Sequence, residues 1–157
     1  MRSERVTDDP DGIQRRWALD ADLTCMLIAL ERRASETYSR AFRGSGLPAS
    51  WARFPGLFII SGYRSPSLQD QINPAVTSSL HTRSDRCNNP SSLAVDLRLG
   101  DVPASVTSPE IWGWLGGIWK TLGGRWGGDF STPDLNHFDT GGDPLALSPA
   151  STSTVRR

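Results

Sequence analysis

Cysteine and histidine, two residue types that carry much of protein chemistry, are scarce in this chain of 157 residues. Cysteine occurs twice, as Cys25 and Cys87, which is too few for a disulfide framework and forms no Cys-x-x-Cys pair. The sequence therefore favours synthesis in a reducing compartment. Histidine also occurs twice, as His81 and His137, so any site that needs an imidazole has only these two candidates.

Net charge and long apolar runs are missing as well. Lys plus Arg number 17 and Asp plus Glu number 17, so overall charge indicates neither nucleic acid nor an anionic membrane surface as a partner. No apolar run approaches the roughly 20 residues of a membrane-spanning helix, and no apolar signal segment follows the polar N-terminus. We therefore expect a soluble protein, made in the cytoplasm without a signal peptide, with no nucleic-acid partner and no stable membrane insertion.

The chain predicts one α+β domain between two polar ends. Residues 1–16 are charged and contain proline and glycine, which is typical of a flexible arm, and the Pro/Ser/Thr-rich residues 143–157 predict a flexible tail. The domain itself is expected at 17–142, a length that suffices for one hydrophobic core.

A long amphipathic helix is predicted at the start of this domain. Either Asp20 or Asp22 could cap it, and it should end near Gly44 and Gly46. The residues at helical spacing are Leu23, Met26, Leu27, Leu30, Ala34, Tyr38 and Ala41.

A second helix is predicted within "SPEIWGWLGGIWKTLGG", residues 108–124. Its apolar stripe comprises Ile111, Trp112, Leu115, Ile118, Trp119 and Leu122. Two glycines interrupt this helix, and Gly116 and Gly117 are each expected to cost it about 1 kcal/mol relative to alanine.

Strands of a small antiparallel sheet are predicted in the middle of the chain. "LFIISGYRS", residues 57–65, opens with a short apolar strand at Leu57–Ile60, and a short helix follows, so Arg64 lies between a strand and a helix. "SLAVDLRL", residues 92–99, alternates as a half-buried strand does, which places Asp96 on the face away from the core.

Both histidines have acidic neighbours. Taken singly, a histidine is more often structural or simply exposed. A catalytic zinc, however, needs three protein ligands with nitrogen or oxygen donors and leaves a fourth position to water. His81 and His137 with one aspartate complete such a set, and both Asp85 and Asp96 are candidates for the carboxylate.

Several short motifs lie in a defined order along residues 20–140. They are "SGYRS" at 61–65, "SLH" at 79–81 with "SLAVD" at 92–96, "RWGGDF" at 125–130 and "DLNH" at 134–137. Together they resemble the zinc peptidases that comprise D-Ala-D-Ala carboxypeptidases and dipeptidases and the phage L-Ala-D-Glu endolysins, with the hedgehog signalling domain as a relative in fold. "SLH" and "SLAVD" resemble the two ends of the pattern Ser-x-His-x-x-Gly-x-Ala-x-Asp, and "DLNH" matches its acid-x-x-His motif.

The resemblance implies a role for each matching residue. The ligands of a Zn²⁺ ion would be His81, Asp96 and His137. Asp134 would be the general base, and Arg64 would stabilise the oxyanion or bind a substrate carboxylate. Ser79 as a supporting partner, and Asp129 and Trp126 as substrate-side groups, are weaker candidates.

The chain departs from the family pattern between the first histidine and the aspartate. Fourteen residues, 82–95, separate His81 from Asp96 where the family has six, and Ser92 stands in place of the glycine. The turn-forming composition of 82–91 predicts an inserted surface loop. Asp85 lies four residues after His81, but "HTRSDRCNNPSS" is poor helix material, so Asp96 is the favoured ligand.

The resemblance implies hydrolysis of a peptidoglycan stem peptide next to a D-amino acid, at an L-Ala-D-Glu or a D-Ala-D-Ala bond. The protein would then be a phage or prophage lysin or a virion-associated wall hydrolase, acting at the cell wall after release or within a virion, with tail proteins as candidate partners. One alternative is a non-catalytic virion structural or wall-binding subunit, and a weaker one is a zinc-binding recognition module like the hedgehog domain. Asp134 argues against the first, because a structural zinc needs no general base.

Overall fold

The computed structural model describes residues 2–3, 18–43, 51–71, 79–89 and 91–141. The predicted tail and nearly all of the predicted N-terminal arm lie outside these residues. The elements, in chain order, are β1 (Arg2–Ser3), α1 (Ala21–Ala41), β2 (Leu57–Ser61), α2 (Pro66–Gln71), β3 (Ala94–Leu99), α3 (Pro109–Thr121), β4 (Arg125–Trp126) and β5 (His137–Asp139).

The strands form one sheet in the order β1-β2-β3-β5-β4. Four of them, β2, β3, β5 and β4, pair antiparallel, which confirms the predicted α+β class with a small antiparallel sheet. The two-residue β1 pairs parallel with β2 at the sheet edge. This pairing was not expected, because Arg2 and Ser3 belong to the predicted flexible arm.

Helix α1 begins where the sequence predicts and ends earlier. The Asp20 side chain accepts a hydrogen bond from the backbone N–H of Asp22 at 2.9 Å, so Asp20 is the cap. The helix ends at Ala41, which is exposed, short of the predicted glycines at 44 and 46. Its buried face follows the predicted spacing and comprises Leu23, Leu27, Leu30, Ala34 and Tyr38.

Helix α3 begins at a serine cap followed by proline in the first turn. The Ser108 hydroxyl accepts from the Glu110 N–H, and the proline loses no intrahelical hydrogen bond there. The buried residues are Ile111, Trp112, Leu115, Gly116 and Trp119. All of them except Gly116 share one hydrophobic core with α1 and the sheet, so both long helices cover the same sheet face.

The core face of the sheet is formed by alternate strand residues, namely Leu57, Ile59, Val95, Leu97, Leu99 and Phe138. The opposite face of β3 was predicted to be open, but there Ala94 is fully buried and Arg98 is 9% exposed. The guanidinium carbon of Arg98 lies 4.3 Å from the centroid of the Phe58 ring, so a cation–π contact covers its polar head. Among the described residues no helix combines the length and the apolar character that crossing a bilayer requires.

Candidate metal centre

Three of the predicted site residues come together on the sheet face opposite the helices. Asp96 on β3 is directly opposite His137 on β5, and residues in that relation share a face. On the other side, Asp96 is opposite Ser61 at the end of β2, after a register irregularity that follows Ile59. Such bulges re-aim side chains, and this one turns Ser61 from the core face to the Asp96 side.

His81 reaches the same place from a 3₁₀ turn, Ser79–Thr82. Backbone hydrogen bonds attach this turn to the sheet: the Leu93 N–H donates to the Leu80 carbonyl, and the Arg64 N–H donates to the His81 carbonyl, both at 3.0 Å. The His81 ring is fully buried, and its Nδ1 lies 2.5 Å from the Gly62 carbonyl oxygen. A carbonyl only accepts, so Nδ1 carries a proton, and in the neutral ring the lone pair is then on Nε2.

The geometry of these side chains suits a metal ion. Ligand atoms of His81, Asp96 and His137 all lie within 4.8 Å of one another. Asp96 Oδ1 is 3.5 Å from His81 Nε2 and 3.1 Å from His137 Nδ1. A tetrahedral ion with bonds of about 2.1 Å separates its ligand atoms by about 3.4 Å. His81 Nε2 is buried and has no hydrogen-bond partner among the described residues, which is costly unless a cation meets it. These residues therefore fit Zn²⁺.

The two oxygens of Asp96 have different partners. Oδ2 accepts a hydrogen bond from Nη2 of Arg64, whose Nε in turn donates to the Ser61 hydroxyl at 2.9 Å. Oδ1 is left facing the two histidines. Burial alone would raise the pKa of Asp96, but the neighbouring His81, His137 and Arg64 outweigh it and hold that pKa well below its usual range. Asp96 is therefore ionised, as a metal ligand must be.

His137 contacts a carboxylate with each ring nitrogen. Nδ1 lies 3.1 Å from Asp96, and Nε2 lies 3.0 Å from Oδ2 of Asp139. Burial lowers the pKa of His137, but the hydrogen bonds and charges of the two aspartates outweigh it and raise the pKa to about 9. In the metal-free protein the ring is thus an imidazolium at neutral pH.

Asp134 lies in the turn that leads into β5. Its backbone N–H donates to the Gly127 carbonyl at 2.9 Å, and its own carbonyl accepts from His137 at 3.2 Å. A Cβ on Gly127 would come within 2.3 Å of the Asp134 carbonyl oxygen, so only glycine allows this approach. Burial, followed by the negative charge of Asp96, raises the pKa of Asp134, which suits a base that must accept a proton.

The inserted loop is closed by hydrogen bonds between its own residues. The Ser91 N–H donates to the Arg83 carbonyl at 2.8 Å, so the loop ends meet. Asp85 accepts hydrogen bonds from Cys87 and Asn89 within the loop and is exposed. The structure therefore groups Asp96, and not Asp85, with the histidines.

Two of the weaker candidates, Asp129 and Trp126, have their contacts outside the cluster. The Ser79 side chain is not among the described ones. Asp129 is exposed and pairs with Lys120 at 2.8 Å. Trp126 packs over Gly116 on α3, and its indole N–H donates to the Leu135 carbonyl at 2.8 Å. In the structure this tryptophan supports the turn that carries Asp134, and a substrate contact stays a prediction.

Two residues in contact with the site received no role from sequence. Asp139 binds the far side of His137, and Arg125 on β4 binds Asp139 at 2.9 Å. The signal for Asp139 is the pattern His-Phe-Asp, because alternate residues of a strand share a face. No such local signal points to Arg125, whose approach depends on strand pairing.

The chain matches no protein-family model and no curated protein. A function for this chain is therefore inferred from the quoted motifs and from the geometry of these residues.

Proposed function

We propose that this protein is a zinc-dependent peptidase that hydrolyses a peptidoglycan stem peptide next to a D-amino acid, at an L-Ala-D-Glu or a D-Ala-D-Ala bond. The observation that carries the proposal is the buried group of His81, Asp96 and His137, in which the unpartnered Nε2 of His81 faces the ionised carboxylate. A half-buried aspartate, Asp134, lies close enough to Asp96 that burial and then the charge of that carboxylate raise its pKa.

Each residue has a defined task in this proposal. Bound Zn²⁺ would supply Lewis acidity and lower the pKa of a coordinated water toward about 7. Asp134 would accept a proton from the attacking water and return it to the leaving amine. Its raised pKa supports this exchange, because a carboxylate of ordinary pKa holds a proton poorly at neutral pH.

Arg64 is proposed to serve the site through Asp96. Its contact with Oδ2 leaves Oδ1 facing the histidines and supplies a positive charge beside the ligand carboxylate. Stabilisation of an oxyanion or of a substrate carboxylate, which the resemblance implies for this residue, requires a guanidinium N–H that reaches beyond Asp96.

The substrate and setting rest on the resemblance. The order of the motifs favours a phage or prophage lysin or a virion-associated wall hydrolase, acting at the cell wall and with tail proteins as candidate partners in a virion. The competing proposal is a non-catalytic structural or wall-binding subunit that retains the same fold. The half-buried Asp134 favours the enzyme, because burying a carboxylate beside another one is costly and a binding role has no need of it.

Mass spectrometry of digested muropeptides tests this proposal. Purified muropeptides incubated with the zinc-loaded protein should yield two products whose masses identify the bond cut. The matched control is His137→Ala, which lacks one proposed ligand and should yield none. Intact muropeptides of both stem-peptide types after incubation with the zinc-loaded parent would favour the non-catalytic subunit.

A further inference from the structure

We infer that Asp139 is a positioning residue that holds the His137 ring so that Nδ1, and not Nε2, faces the metal. The inference rests on the proposed zinc site and assigns a role to a residue that the motif resemblance leaves without one. Arg125 belongs to the same arrangement, because it holds Asp139 from the other side.

Among the described residues, every polar contact of the Asp139 carboxylate is with a nitrogen. Oδ1 accepts from the Gly141 N–H at 2.8 Å and from Arg125 Nε at 3.1 Å, while Oδ2 accepts from Arg125 Nη2 at 2.9 Å. Arg125 Nε also donates to Oδ2 at 3.2 Å, and Oδ2 lies 3.0 Å from His137 Nε2. An ionised carboxylate only accepts hydrogen bonds, so Nε2 must carry a proton. In neutral imidazole the lone pair is then on Nδ1, which faces Asp96 Oδ1.

Strand geometry keeps Asp139 in this place. His137 and Asp139 are alternate residues of β5 and share a face, whereas Phe138 between them is buried in the core against Trp112 and Trp119. The Trp119 indole N–H also donates to the Asp139 carbonyl at 2.8 Å. The strand therefore cannot rotate without removing Phe138 from its packing.

The neighbouring strands complete the arrangement. In the sheet Asp139 lies between Ala94 of β3 and Arg125 of β4. The small Ala94 side chain leaves room for a carboxylate, and Arg125 supplies its counter-charge. A metal-bound histidine commonly donates its second N–H to a carboxylate, and loss of that partner costs about 10–100-fold in metal affinity.

The test is zinc affinity, measured by competition with a chromophoric chelator in the parent and in Asp139→Asn. Asparagine has nearly the same shape, but its amide must direct an N–H group toward a nitrogen donor. We expect zinc binding in the variant to be weaker by about 10–100-fold. Ile111→Val, a core change in α3, is the control for lost stability and should bind zinc as the parent does.

A second readout is the ¹⁵N spectrum of the histidine side chains in the zinc-loaded protein. In the parent, His137 Nε2 should carry a proton that exchanges slowly with water, and in Asp139→Asn that proton should exchange faster. If Asp139→Asn does not fold, Arg125→Gln, on a half-exposed side chain, should weaken zinc binding in the same direction by a smaller factor.

The outcomes separate this inference from the proposed function. Equal zinc affinity and equal proton exchange in the parent and the tested variant would overturn the inference alone. Failure of the parent to bind zinc would overturn both the inference and the proposed function.

Discussion

His137 Nδ1 lies 3.1 Å from Asp96 Oδ1, although 41 positions separate the two residues in the sequence. They meet because β3 and β5 are antiparallel neighbours in which these residues are directly opposite. His81 adds a third ligand atom from a turn outside the sheet. Two of the three proposed ligands are thus supported by paired strands, which restrict their movement.

Replacing the two candidate aspartates tests which one is the ligand. Asp96→Ala should weaken zinc binding by more than about 100-fold, because losing a ligand costs more than losing a residue that only hydrogen-bonds to a ligand. It should also abolish cleavage. Asp85→Ala is the matched control, because the hydrogen bonds of the Asp85 carboxylate among the described residues are all with its own exposed loop. Equilibrium dialysis with metal analysis measures both, and strong binding by Asp96→Ala with loss in Asp85→Ala would refute the assignment.

Asp134→Asn separates binding from catalysis. The backbone hydrogen bonds that hold this turn do not involve the side chain, so folding and zinc affinity should stay near those of the parent. Turnover should fall by roughly 10²–10⁴-fold, the usual contribution of general acid–base help. An initial-rate assay on muropeptides checks this, and a rate equal to the parent's would mean that another group is the base.

The stability of the metal-free protein should fall as pH rises from about 6.5 to 9. The native pKa of His137 is raised to about 9, against about 6.5 in the unfolded chain. The stabilisation is complete below about pH 6.5, and it is lost as pH rises because the unfolded state then releases a proton that the native state retains.

Urea denaturation of the chelator-treated protein measures this change, which should be on the order of 1–3 kcal/mol. His137→Gln is the control, since it removes the titrating ring, and its unfolding free energy should vary less over the same range. A parent whose unfolding free energy stays constant or increases from pH 6.5 to 9 would contradict the assignment of a protonated His137.

Two adjacent glycines of α3 should respond to alanine in opposite directions. A Cβ on Gly116 would lie 2.3 Å from the Trp126 ring, whereas a Cβ on Gly117 would meet nothing within 4 Å. Gly116→Ala should destabilise by about 1–3 kcal/mol through overpacking, and Gly117→Ala should stabilise by about 0.5–1 kcal/mol. Thermal unfolding distinguishes the two variants. Equal shifts in their melting temperatures would show that close packing of Trp126 on Gly116 is not required.

The long helices and the central strand could be predicted because their periodicity reports local burial. The spacing of Leu23, Leu27 and Leu30 indicates the buried face of α1 directly. Helix propensity alone does not explain Gly116. Glycine is needed there because the ring of Trp126, ten positions away and on another element, lies against its backbone. Helix propensities include the backbone entropy of glycine, but they do not include the Trp126 ring that occupies the space where a side chain would be.

The site was predictable only as far as its motifs extend. Asp96 and the histidines could be chosen from spacing and residue type, since zinc needs nitrogen and oxygen donors. The irregularity that brings Ser61 beside Asp96, and the pairing that brings Arg125 to Asp139, depend on strand register. Strand β4, which carries Arg125, has two residues, which is too short for alternation to show.

Cleavage as a function of bound zinc tests the central claim most directly. Chelator-treated protein receives increasing Zn²⁺, and the initial rate of muropeptide hydrolysis is measured together with the bound metal. The rate should be near zero without metal and should rise in proportion to bound zinc up to one ion per chain, because His81, Asp96 and His137 form one site. Full hydrolysis by metal-free protein, or none with one zinc bound, would contradict the account.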